Sequence, residues 1–155
     1  MTTEQPIELS VTRHIAAPPE TVWKIMTERM EDWWCPKPWR MEIVEWDFRP
    51  GGRNAMVMKG PDGEEFPGDG IFLEVTTNRR FASTDAITAG LVPQEPFMIG
   101  IWEIKAENGG TRYTGRARHW TENGRKRHEE MGFEEGWNTV ADQLAALCEE
   151  VAVDA

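Results

Sequence analysis

Met131-Gly132-Phe133-Glu134-Glu135-Gly136-Trp137 opens the longest amphipathic stretch of the chain. Beyond its first two residues, apolar side chains recur at Phe133, Trp137, Val140, Ala141, Leu144, Leu147, Cys148 and Val151. Steps of three and four gather them into one stripe on a helix face. The glycines are the unusual part, because each Gly inside a helix costs about 0.8–1 kcal/mol relative to Ala. Gly132 and Gly136 are four apart, so they share a face that continues to Val140. The expectation is a long helix whose buried face is closely approached, by a sheet or by a ligand.

What precedes this helix is read as strands. Ile7 to Arg13 alternates and gives a first strand, which Ala16-Ala17-Pro18-Pro19 ends. Pro19 suits the first turn of a helix carrying Val22, Trp23, Ile25, Met26 and Met30. Asp32 to Trp39 is too proline-rich to be regular and too aromatic to be an idle loop. Strands are then expected over Met41–Phe48, with Val44, Trp46 and Phe48 on one side, and over Arg53–Lys59, carrying Met56 and Met58. Three more follow at Gly70–Val75, Arg80–Asp85 and Phe97–Lys105. Asn108-Gly109-Gly110 is a hairpin signal leading into Thr111–Trp120, and Thr121 is placed to cap the terminal helix. Consecutive strands joined by short turns imply an antiparallel meander whose one face the terminal helix covers. The fold class is α+β, a curved antiparallel sheet around a long carboxyl-terminal helix, in one domain spanning residues 1–155.

Strand parity assigns the inner face. Arg112, Arg116 and Arg118 share one side, so Tyr113, Gly115, Ala117 and His119 turn inward. On the neighbouring strand, outward Glu103 and Lys105 leave Met98, Gly100, Trp102 and Ile104 inside. Gly100 and Gly115 are compatible with a cavity and equally with tight helix–sheet contact.

Composition bounds the function. Eight Trp and eight Met against a single Tyr supply wide, polarisable surface suited to an irregular interior or to a loosely specific pocket. A net charge of −10 opposes binding to phosphate backbones, so nucleic acid is not an expected partner. No apolar run approaches the roughly 20 residues that span a bilayer, and polar Met1–Ser10 lacks a signal-peptide core. Cys35 and Cys148 are far apart and in no metal-type spacing. A cytoplasmic protein without a membrane partner, metal or cofactor is expected, as a monomer or homodimer.

Several landmarks occur together. Arg13-His14-Ile15-Ala16-Ala17-Pro18-Pro19-Glu20-Thr21-Val22-Trp23 resembles the opening of bacterial homologues of the activator of heat-shock chaperone ATPase, within the START-like, helix-grip SRPBCC superfamily. Trp33-Trp34 with Pro36, Arg49-Pro50-Gly51-Gly52-Arg53, Pro61-Asp62-Gly63, the Gly70–Glu74 strand and Gly132 to Trp137 are similar to its later landmarks, in order, over essentially the whole chain. The resemblance implies a terminal helix across an antiparallel sheet of about six or seven strands, often enclosing a hydrophobic cavity. It implies no single activity, since the superfamily hosts lipid binders, cyclases, hydrolases and co-chaperones. The eukaryotic co-chaperones behind the family name carry a further amino-terminal domain that the 155 residues here do not accommodate.

The reactive residues do not compose a nucleophile–base–orienter set. His119, inward at the end of a strand, is an acid or base beside a cavity or a core histidine with one hydrogen bond. Asp85 presents a carboxylate to the cavity or caps a turn. Cys35, near Lys37, lacks a visible base, and His128-Glu129-Glu130 lacks the second His of a helical metal box. The leading expectation is a protein that holds a small hydrophobic or aromatic molecule between helix and sheet. Its proposed lining is Trp34, Trp39, Trp46, Met56, Met58, Met98, Trp102, His119 and Trp137, with His119, Tyr113 or Asp85 fixing orientation. The alternatives are a co-chaperone-like interaction module of the stress response, bound to a chaperone or another protein, and a cavity enzyme using His119 or Asp85.

Overall fold

The structure, a computed structural model, describes residues 5–154; the first four residues of the polar Met1–Ser10 stretch lie outside the described residues. Seven strands, β1 (Ile7–Ile15), β2 (Arg40–Trp46), β3 (Arg53–Lys59), β4 (Glu65–Thr76), β5 (Arg80–Thr84), β6 (Ile99–Glu107) and β7 (Gly110–His119), form one antiparallel open sheet in the order β1-β7-β6-β5-β4-β3-β2. Helices α1 (Pro19–Glu28) and α2 (Met30–Trp33) follow β1, while α3 (Glu122–Glu130) and α4 (Phe133–Asp154) follow β7. This is the expected meander, extended at its last strand by pairing of β1 with β7.

α4 is the 22-residue helix read from the sequence, and its stripe is buried at Phe133, Trp137, Val140, Ala141, Leu144 and Cys148. Leu147 is only half-buried and Val151 is exposed, while Ala152 one position on still packs against the core. The helix lies over β1 and β7, beside α1, α2 and α3. Arg13 reaches Asp142 at 2.9 Å, and the Ala16 N–H donates to Glu149 at 2.9 Å, fixing the docking. The concave side of β3–β6 is left to other groups.

Neither Gly132 nor Gly136 is closely approached, contrary to the expectation from sequence. Gly132 is not inside a helix: with φ +94 it separates α3 from α4, and nothing lies within 4 Å of where its Cβ would stand. A left-handed residue after a helix is the usual place for Gly, because only Gly adopts it without strain. Gly136 is within α4, but a Cβ there would meet Pro36 at 3.9 Å, an ordinary contact. Thr121 therefore caps the separate helix α3, accepting the Gly124 N–H at 3.0 Å. The close approaches occur instead on the sheet. A Cβ on Gly100 would stand 2.5 Å from the Trp102 ring, and one on Gly115 would stand 2.8 Å from the Tyr113 hydroxyl and 3.1 Å from Trp137. At these two positions, tight contact is the answer.

Strand parity held on β6 and β7, where Trp102, Ile104, Tyr113, Ala117 and His119 are buried. It failed on β2, where the register with β3 shifts between Ile43 and Glu45. The bulge adds one residue, so Val44 is turned to solvent, 61% exposed, while Ile43 and Trp46 both face the core. β4 begins five residues before the expected Gly70, since its first half pairs only with β3. Phe97 and Met98 belong to the segment between β5 and β6 rather than to β6.

Candidate functional site

An aromatic column runs along the part of the sheet that α4 does not overlie, beneath Trp23 of α1. Trp46, Phe48, Phe72 and Phe81 cluster with centroid separations of 4.8–6.2 Å. Phe81 stacks on Trp102 at 4.8 Å, and Trp102 lies nearly parallel to Trp137 of α4 at 6.0 Å. Trp34 drives its ring edge-on against both, at 5.3 and 5.0 Å. Such tilted and offset arrangements follow the ring quadrupoles and add about 0.5–1.5 kcal/mol per pair beyond burial.

Trp34 is held there by a residue that sequence reasoning missed. Gln143 of α4 donates from its amide to the carbonyls of Trp33 and Cys35, both at 2.9 Å, and its oxygen accepts the Lys37 N–H at 3.1 Å. Three bonds from one side chain fasten the tryptophan loop to the helix. The rings of that loop then part. Trp33 is buried and donates its indole N–H to the Met26 carbonyl at 3.2 Å, Trp34 faces inward, and Trp39 stacks on Phe66 at 5.8 Å. Nothing in a sequence marks an exposed-looking Gln as such a fastener, since its partners are more than a hundred residues away.

Beside Trp34, Trp102 and Trp137 lies a cavity of about 340 Å³. β3 contributes Asn54, Met56 and Met58, and β4 contributes Phe66, Gly68 and Gly70, directly opposite in the ladder. The end of β5 and the following segment add Ser83, Thr84, Asp85, Phe97 and Met98, while His128 of α3 and Met131 just after it close the far side. Asp69 completes the wall. Phe66 (53% exposed) and Met131 (66%) mark an apolar rim. Gly68 is what keeps the β4 side open: a Cβ there would touch only Met56, at 3.7 Å.

Of the residues singled out from sequence, Trp34, Met56, Met58, Asp85, Met98, Trp102 and Trp137 meet at this cavity. Four do not. Trp46 is spent in the phenylalanine cluster. Trp39 borders a separate polar cleft of about 440 Å³ with Arg29, Lys37 and Arg40. Tyr113 is wholly buried against Trp33, its hydroxyl without a partner among the described residues and its pKa raised by desolvation. His119 lies behind His128, with Nε2 of the first 3.0 Å from Nδ1 of the second. The lining members missed were Asn54, the Phe66–Gly70 half of β4 (Phe66, Gly68, Asp69 and Gly70), Ser83, Thr84 and Phe97, with His128 and Met131 from the helix end. Asn54 has the same strand parity as Met56 and Met58, so that signal was present; the pairing of β3 with the front half of β4 was not legible.

Burial sets the electrostatics. Desolvation pushes His128 down to about 4, assisted by neighbouring His119, and desolvation also lowers His119. Asp85 is not presented as a free acid or base: its carboxylate accepts the Phe97 N–H at 2.9 and 3.1 Å and the Met98 N–H at 3.3 Å. It ties down the segment between β5 and β6, which is the turn-organising role. Burial raises the Cys35 thiol to about 11 and the Cys148 thiol to about 12, the opposite of activation. Among the described residues, no three His, Cys, Asp or Glu are placed to hold a metal ion, and no helix is long and apolar enough to cross a membrane.

A long helix laid across an antiparallel sheet, with a cavity beside its first turns, defines a helix-grip protein. The chain belongs to the Activator of Hsp90 ATPase homolog 1-like family, whose pattern matches residues 16–149. It is similar to a crystal structure of a Nitrosomonas europaea protein, with 39% identity over 96% of this chain and 97% of that one and a TM-score of 0.85. A Mycobacterium smegmatis protein is 27% identical, over 92% and 90% of the two chains, with a TM-score of 0.76. An AHSA1 protein of Silicibacter pomeroyi shares the fold, at 20% identity, 96% and 99% coverage and a TM-score of 0.68. Among curated proteins, none matches the chain.

Proposed function

We propose that this protein binds a small apolar or aromatic molecule in the cavity between β3–β6 and the start of α4. The supporting observation is the cavity itself, about 340 Å³, walled by Trp34, Trp102, Trp137, Met56 and Met98 and rimmed by exposed Phe66 and Met131. Its volume lies in the usual range for small-molecule sites, and apolar burial there stabilises a complex by about 25 cal/mol per Å². Methionine side chains let such a wall adapt to differing shapes.

The test is titration with N-phenyl-1-naphthylamine, a neutral aromatic probe, followed by tryptophan fluorescence and melting temperature. At 100 times its Kd a ligand that binds only the folded state adds about 2.7 kcal/mol of stability. Gly68→Leu should fill the open side of the cavity and abolish the response while leaving the fold intact. Absence of binding by the unsubstituted protein, or unchanged binding by a folded Gly68→Leu variant, refutes the proposal.

A protein-interaction role draws on a different observation, the exposed apolar side chains of the segment between β5 and β6, where Leu91 is 80% and Val92 57% exposed. That reading requires no ligand in the cavity, and the same titration separates the two.

A further inference from the structure

Resting on the cavity reading, the distribution of charge around the wall narrows the ligand class. The lining contains one carboxylate on its own side of the sheet, Asp85, and among the described residues no Lys or Arg. Asp69 turns its carboxylate to the opposite face of β4 from Gly68 and Gly70, where the Arg53 guanidinium meets its two oxygens at 2.9 and 3.3 Å. Asp85 is different. Among the described residues its carboxylate forms no ion pair; its partners are the N–H groups of Phe97 and Met98, which orient it without supplying a counter-charge. His128, held down to about 4 by burial and by His119, adds no positive charge at neutral pH.

The remaining wall suits a cation as well as an apolar body. Trp34, Trp102, Trp137, Phe66 and Phe97 bring five aromatic rings to one cavity, and an aromatic face attracts a cation by its quadrupole. Desolvation strengthens that attraction and any Coulomb term to Asp85. An anion such as a fatty-acid carboxylate would face Asp85 with no lining cation to compensate, the situation that disfavours a buried charge. The net charge of −10 biases encounter the same way.

We propose that the cavity takes a lipophilic cation, an aromatic or alkyl body bearing an ammonium-type head, with the head toward Asp85 and Phe97 and the body against the Trp34–Trp102–Trp137 wall. The measurement is calorimetric titration of the full chain at pH 7 and 0.15 M salt with three probes on one ring system. These are 2-naphthylmethylammonium, 2-naphthylmethanol and 2-naphthylacetate. The cation should bind about tenfold tighter than the alcohol, and the acetate weakest. Asp85→Asn should remove most of the cation's advantage. Because that change also touches the Phe97 and Met98 N–H bonds, rim residue Met131→Lys provides an independent arm: it should weaken the cation more than the alcohol.

The outcomes separate the two levels. Binding of the alcohol with equal or tighter binding of the acetate overturns the cation class and leaves the cavity reading standing. Binding of no probe overturns both. Cation binding retained by Gly68→Leu marks adsorption to an acidic surface and overturns the proposal. So does a cation preference that survives Asp85→Asn and Met131→Lys alike.

Discussion

Gly136→Ala should stabilise this protein, and Gly132→Ala should destabilise it, although the two glycines sit in one motif four residues apart. Gly136 lies in α4 with its N–H bonded to the Gly132 carbonyl at 2.9 Å, so an alanine gains the helix preference of about 0.8–1 kcal/mol. The added methyl meets Pro36 at 3.9 Å, a contact that needs no displacement. For a chain of this size, about 1 kcal/mol corresponds to a rise of roughly 2–4 °C in melting temperature. Gly132 also has free space for a methyl, but its φ of +94 is strained for any L-residue, at a cost of about 1–3 kcal/mol. The variants should therefore differ by about 2–4 kcal/mol, in opposite directions from the parent. Urea denaturation with matched m-values, alongside thermal melts, reads this out. Loss of 1 kcal/mol or more in Gly136→Ala would refute the reasoning. It would mean that the loop carrying Pro36 presses on α4 closely enough to require glycine, the reading the sequence alone suggested.

Two further outcomes follow from buried polar groups. The Tyr113 hydroxyl is fully buried with no hydrogen-bond partner among the described residues, so Tyr113→Phe should raise stability by about 1 kcal/mol in urea denaturation; a loss of similar size would reveal a partner for that oxygen. His128 is lowered from 6.5 to about 4 in the folded state, so between those values the unfolded chain binds more protons. Its contribution is complete above about pH 6.5 and is lost as pH falls toward 4, by roughly 3 kcal/mol in all, with His119 shifted in the same direction. His128→Phe should flatten the acid limb of stability against pH, and an unchanged limb would count against burial as the cause.

The fold was legible because it rests on local periodicities. The α4 stripe from Phe133 to Cys148, the alternation of Tyr113, Ala117 and His119, and the Asn108-Gly109 turn each encode their element within a few residues. Seven of the eleven expected site residues reached the cavity because strand position, the aromatic loop and, for Trp137, the helix stripe already pointed them inward. Where the reading failed, the missing information was a relation between distant segments. The bulge at Val44 depends on how β2 meets β3, and it exchanges the two faces of a strand by one residue. Trp46 was drawn away by Phe72 and Phe48, and His119 was covered by His128 from a helix whose separate existence hinges on the backbone at Gly132.

By itself, then, the sequence determined an α+β sheet, the long helix and the family, since these follow from hydrophobic period and from landmarks read in order. Only tertiary structure decided where space remains. Gly100 and Gly115 are filled by neighbouring rings, whereas Gly68, opposite Met56 across the β3–β4 ladder, is left open. The physical reason is that a glycine records the absence of a side chain, and whether that absence becomes contact or cavity is set by what the folded chain brings opposite it.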